Sequence, residues 1–139
     1  MDKKEKAHII WCPLFQDDYF YYDFEKECVV SEIYRCTPAD KQRVKHFQAF
    51  PTAILAEENA HRSTCDKIQV LYQYTSGQEP SRHIAGTVEK WFLSWDKLHE
   101  IFTPIGYRHI APGMVYWDRE ADLEIFITKH SELLRKYYK

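Results

Sequence analysis

The chain has 139 residues, of which 45% are hydrophobic and 29% charged, a globular composition that excludes a disordered or fibrous chain. With 19 Lys and Arg against 21 Asp and Glu, the formal net charge is −2, so no global positive field draws it to nucleic acid or to an anionic membrane. Aromatics reach 16% and glycines number only 4, which points to wide aromatic packing and few turns built on glycine.

The length suits a single α+β domain over 1–139 with one core. The charged start, Met1 to Lys6, leads into the apolar run His8 to Leu14, too short for a signal peptide, and nothing approaches a membrane span. Cys12, Cys28, Cys36 and Cys65 are irregularly spaced and read as reduced, mostly buried thiols of a cytoplasmic chain.

Ile9 to Leu14 and the aromatic run Tyr19 to Phe24 read as strands, closed by Pro13 and by Glu25-Lys26-Glu27. Cys28 to Cys36 alternates Val29, Ser31 and Ile33 with Val30, Glu32 and Tyr34, so it pairs with the preceding run as a hairpin. Thr37-Pro38-Ala39-Asp40 starts a helix running to about Phe50: a hydroxyl caps free amides, Pro sits where no amide is needed, and the acid faces the positive dipole end. Pro51 breaks or kinks that helix, and Thr52 caps a second piece to about His61.

Lys67 to Tyr74 alternates Ile68, Val70, Tyr72 and Tyr74 with Lys67, Gln69, Leu71 and Gln73, as a strand with one wetter face does. His83 to Leu93 reads as a strand with a bulge at Gly86. Ser94 caps a helix with Leu98, Ile101, Phe102 and Ile105 on one apolar face, ended by Pro104 and Gly106. Met114 to Trp117 and Leu123 to Thr128 are strand-like, and Ser131 caps a closing helix with Leu133, Leu134, Tyr137 and Tyr138 inward. Strands arriving in runs predict an α+β layer structure: a mostly antiparallel sheet of about six or seven strands packed with two or three helices.

No P-loop, dinucleotide glycine fingerprint, GxSxG elbow or HExxH pair occurs in the sequence. A tetrapeptide is repeated, Arg82-His83-Ile84-Ala85 and Arg108-His109-Ile110-Ala111. If the two imidazoles face one cleft from neighbouring strands they suit general acid and base, with Arg82 or Arg108 steadying an anion and Glu89 or Asp118 orienting a ring. Enzymes that cleave phosphoesters with two strand-borne histidines carry a hydroxyl two residues after each His, where this chain has Ala85 and Ala111. A short match in a chain with 7 histidines is also a modest coincidence, each His then serving only a loop carbonyl.

His8/Cys12 and His61/Cys65 share a His-x-x-x-Cys spacing, and imidazole plus thiolate suits zinc. No CxxC or HxxxH knuckle completes a set, so no metal ligand is assigned and no cofactor is expected. Glu58-x-x-His61 matches half of a di-iron motif whose second copy is missing.

The run Tyr19 to Phe24 carries rings on both faces of its strand, which implies packing on each side or a binding surface on one. With one face exposed, Tyr19 and Tyr21 join Asp17, Asp18 and Asp23 in an acidic, aromatic patch. Such a patch suits a protein partner, because phosphate contacts demand Lys and Arg. Lys41, Arg43 and Lys45, and Arg135, Lys136 and Lys139, read as solvated helix faces. The segment Trp91 to Trp95, with Trp11 and Trp117, is either core or the lining of an apolar pocket.

Three readings follow. The first needs no unseen motif: a small cytoplasmic protein-binding module, of inhibitor, immunity or adaptor type, with no membrane contact and with nucleic acid disfavoured. An aromatic edge strand pairing with its copy would make it a homodimer. The second is a small hydrolase or nucleotide- or phosphoester-acting enzyme using His83 and His109, and the third a zinc-stabilised domain.

Overall fold

The computed structural model describes residues 9–77, 89–107 and 115–138. Strands β1 (Asp18–Asp23) and β2 (Cys28–Ile33) form the expected antiparallel hairpin. Its turn manages without glycine: Asp23 Oδ1 accepts the amides of Glu25 at 2.9 Å and Lys26 at 3.1 Å, while Glu27 takes a left-handed φ of 53°. Residues 9–14, expected as a strand, carry no strand pairing.

Helix α1 (Pro38–Lys45) begins where its capping signal stands, with Thr37 and Asp40 exchanging side-chain-to-backbone bonds. It stops at Lys45 rather than near Phe50, because Phe47 turns left-handed (φ 56°) and Phe50 returns to exchange backbone bonds with Phe20. Helix α2 (Ala53–Asn59) starts after Thr52, whose hydroxyl accepts the Leu55 amide at 3.1 Å.

Beyond this point the structure departs from the expected sheet. Lys67 to Tyr74 lies in a helix, α3 (Thr64–Thr75), capped by Ser63. Ser94 to Ile105 is a second hairpin, β3 (Lys90–Asp96) and β4 (Ile101–Tyr107), and Leu123 to Thr128 lies in helix α4 (Glu120–Tyr137). Among the described residues there are therefore four strands in two separate two-stranded antiparallel sheets, with four helices, and no sheet of six or seven strands. The chain is α+β, with a different division of elements.

Physical reasons account for each difference. Helix α3 runs through the centre, with Ile68 and Tyr72 packed among Phe102, Trp117, Leu123, Phe126 and Leu134. Val70 and Leu71 meet Phe50, Leu55, Ala56 and Val115 in the neighbouring cluster. A helix enclosed on most sides also buries Gln69 and Gln73, and these glutamines are what made the segment look alternating. Both are hydrogen-bonded: Gln69 Oε1 accepts Trp117 Nε1 at 3.0 Å, and Gln73 Nε2 donates to the Tyr116 carbonyl at 3.0 Å.

The apolar spacing after Ser94 belongs to strands rich in aromatic and β-branched residues. Asp96 Oδ1 accepts the amides of Leu98 and His99, and Glu100 is left-handed at φ 54°, which reverses the chain. Leu98, expected in a core, is 85% exposed at the tip. Trp91 and Trp117 exchange both backbone bonds, at 2.9 and 2.8 Å, tying this hairpin to the chain that enters α4. In α4 the non-helical φ and ψ fall at His130, immediately before Ser131. The expected closing helix is thus the second part of a longer one, with Leu134 buried.

Candidate functional site

The acidic, aromatic strand predicted as a binding surface divides into an interior and an exterior part. Tyr19 is 0% exposed, so its ring is part of the core and absent from the surface. Its hydroxyl donates to Asp40 Oδ1 at 2.5 Å and accepts from Arg43 Nη1 at 2.8 Å. Asp40, itself buried, also accepts the amides of Arg35 at 2.8 Å and Thr37 at 3.2 Å through Oδ2. Burial alone would raise the Asp40 carboxyl, but hydrogen bonds from Tyr19, Arg35 and Thr37 outweigh it and hold the group at about 2. Tyr19 is pushed up to about 12, first by burial and then by the carboxylate it donates to. The Arg43 guanidinium lies 3.8 Å from the centre of the Tyr21 ring, so Tyr21 is half-buried beneath a cation.

Asp23 stands at the far end of β1 and shapes the hairpin turn. Asp17 and Asp18 are both exposed, at the end where the chain enters the sheet. There the structure adds two residues that sequence reasoning passed over. Leu14 is 71% and Phe15 63% exposed, on a turn fixed by four hydrogen bonds. The Asp17 amide donates to the Leu14 carbonyl at 2.9 Å, and the Leu14 amide donates to Asp17 Oδ2 at 2.9 Å. The Gln16 amide donates to the Tyr34 carbonyl at 2.7 Å, and the Tyr34 amide to the Asp17 carbonyl at 2.8 Å. With Gln16 left-handed at φ 71°, the turn has the form of type II. The signal for it was Asp17 three residues after Leu14, a spacing that suits side-chain closure of a turn. Ile33, partly exposed, lies across the ladder from Asp18. The result is a rigid apolar knob rimmed by carboxylates.

A concavity of about 250 Å³ lies between the start of α3, the second hairpin and the end of α4. Leu93, Ser94 and Trp95, predicted as candidates for a pocket, do line it, with Asp66, Gln69 and Tyr138. Burial raises the Asp66 carboxyl and pushes the Cys65 thiol up to about 11, with the Asp66 charge adding to the latter. Cys65 is consequently a packing thiol, its Sγ directed to the Leu134 carbonyl at 3.6 Å. Trp11 and Trp117 are not in this lining; Trp117 is core and Trp11 meets Tyr74 edge-on.

His83, His109, Arg82 and Arg108 lie outside the described residues, as does His8. Asp118, considered as a partner for an imidazole, is bonded to Lys90. His61 packs edge-on against the rings of both Tyr22 and Phe24, with centroids 5.5 and 5.6 Å away, whereas Cys65 is buried in the core. Among the described residues no group of three or more His, Cys, Asp or Glu could hold a metal ion. All four cysteines are free, and Cys12, Cys28 and Cys36 are exposed rather than buried as expected. Among the described residues no helix is long and apolar enough to cross a membrane. Comparison with known protein families, curated proteins and solved structures finds no match to this chain.

Proposed function

We propose that the chain is a protein-binding module of inhibitor or adaptor type, docking through the Leu14–Asp17 turn. The observation that carries this reading is the exposure of Leu14 and Phe15 on a turn held by four hydrogen bonds. Large apolar side chains on fixed backbone lose little freedom on binding, which is how a compact hot spot forms. Asp17 and Asp18 beside the knob favour a partner with an apolar recess and a basic rim. The three exposed free thiols support a reducing compartment and hence a cytoplasmic setting.

Relative to the sequence reading, Asp17 and Asp18 keep their place and Phe15 replaces Tyr19 as the aromatic element. The test is affinity capture from native extract with the wild-type chain and with Leu14→Asp/Phe15→Asp. The reading expects a stoichiometric partner that the double variant loses while its melting temperature stays unchanged. The same partners captured by both proteins would remove it.

A further inference from the structure

The two hairpins treat their free edges differently. Trp91 exchanges both backbone bonds with Trp117, so its amide and carbonyl face away from β4. In an antiparallel ladder such residues alternate, and the register Leu93↔Pro104 therefore puts the Pro104 nitrogen on the outer edge of β4. A proline there removes a donor from an exposed edge, a usual protection against strand addition.

In the first hairpin Phe20 exchanges both bonds with Phe50, at 2.9 and 2.8 Å. Its ladder partner is Ser31, so the backbone groups of Ser31 face the opposite edge, as by alternation do those of Val29 and Ile33. That edge carries no proline or lysine. Its one described capping contact is the Ile33 amide to the neighbouring Glu32 Oε1 at 3.3 Å. Ser31 and Ile33 are exposed.

We infer that β2 pairs with β2 of a second copy, antiparallel about a two-fold axis at Ser31. This register places Ser31 opposite Ser31 and Val29 opposite Ile33 of the other copy, so all three outward residues meet their like and exchange both bonds. It also sets the exposed Ile33 side chain beside an apolar neighbour. Just beyond the strand ends it brings Glu27, in the turn that precedes β2, to the same end of the interface as Arg35 of the other copy, and Arg35 to that of its Glu27. Both side chains are exposed, and neither makes an ion pair among the described residues. Sliding the register so that Ser31 faces Ile33 would put the two Glu32 carboxylates directly opposite each other. The occupant is thus a second copy of this chain, bound through outward backbone groups of β2 that take no part in the four hydrogen bonds of the Leu14–Asp17 turn; Ile33 borders both surfaces, and the inference does not rest on the proposed function.

Sedimentation equilibrium of the full chain at micromolar concentrations tests it. The wild type should form a species of twice the 16.7 kDa chain mass. Ser31→Pro removes an outward N–H without touching the β1 ladder and should leave a folded monomer. Arg35→Glu, on the exposed surface, should weaken dimerisation at least tenfold, and Glu27→Arg with Arg35→Glu should restore it. Phe15→Asp should leave the dimer unchanged. A wild type that is monomeric throughout, a dimer indifferent to both Ser31→Pro and Arg35→Glu, or a charge swap that restores nothing would each overturn the inference.

Discussion

Tyr19 and Asp40, 21 residues apart, meet in the interior through a 2.5 Å hydrogen bond that links the first strand to the first turn of helix α1. Arg43 completes the link by donating to the same phenol oxygen while its guanidinium covers Tyr21. A strand rich in tyrosines is thereby anchored from within, while the exposed apolar side chains, Leu14 and Phe15, stand on the turn that precedes it.

Removing the phenol oxygen tests this division. Tyr19→Phe leaves Asp40 and Arg43 each short of a partner and should cost about 1–3 kcal/mol; Tyr19→Ala, which also empties a core position, should cost about 3–5 kcal/mol. Urea denaturation followed by circular dichroism measures both. A Tyr19→Ala protein as stable as wild type would mean that the ring is not in the core.

The same network sets a pH dependence. Asp40 is held at about 2, below its ordinary value of 3.8, so its contribution is complete above pH 4 and fades as the pH falls toward 2. Urea midpoints recorded between pH 6 and pH 2 should decline less steeply for Asp40→Asn, which starts lower and has no carboxylate to protonate. Parallel declines would contradict the assignment. On the alkaline side Tyr19, raised to about 12, contributes stability below pH 10 that is lost as the pH rises through 12, and the late-titrating part of the phenolate absorbance should shrink in Tyr19→Phe.

Thiol accessibility gives a third check. Cys12, Cys28 and Cys36 are exposed and Cys65 is buried, with its thiol pushed up to about 11. At pH 8 a maleimide should modify three cysteines in the native protein, with Cys65 reacting only on unfolding. Rapid native labelling of Cys65, read by peptide mass spectrometry, would place it outside the core.

Gln69 is the polar pivot of the core, because its carbonyl oxygen accepts the Trp117 indole N–H at 3.0 Å. Gln69→Leu keeps a similar volume but strands that N–H in an apolar setting, for a loss of about 1–3 kcal/mol. Gln69→Glu keeps an acceptor but buries a charge and should also destabilise. A Gln69→Leu variant at least as stable as wild type would show the bond to be dispensable.

What could be read from the sequence was local chemistry. Thr37 with Pro38 and Asp40, and Thr52 after Pro51, announced two helix starts correctly, because a cap is decided by residues that touch it. The first hairpin followed from aromatic and β-branched runs on either side of a charged turn. Period failed for two different reasons: Gln69 and Gln73, buried inside α3, imitated a wet strand face, and in Leu123 to Thr128 the exposed Ile125 put an apolar residue on the wet side of α4 and blurred its helical stripe. Ser63 with Asp66 three residues on was the overlooked sign of α3, since the Ser63 hydroxyl accepts the Asp66 amide at 3.2 Å. After Ser94, apolar residues spaced like a helical face were those of a hairpin, and only Asp96 at the turn argued otherwise. The aromatic knob at Phe15 escaped notice because exposure of a turn depends on contacts with Tyr34, 19 residues downstream, which no local pattern encodes.

Site-specific photo-crosslinking tests the docking turn most directly. A benzophenone amino acid placed at Phe15, and in a control at Ile54, which is also exposed, is irradiated in native extract and the adducts are identified by mass spectrometry. The account predicts one dominant protein adduct from position 15, carrying basic residues around its attachment site, and none in common from position 54. Identical adduct patterns from the two positions, or no adduct at position 15, would contradict it.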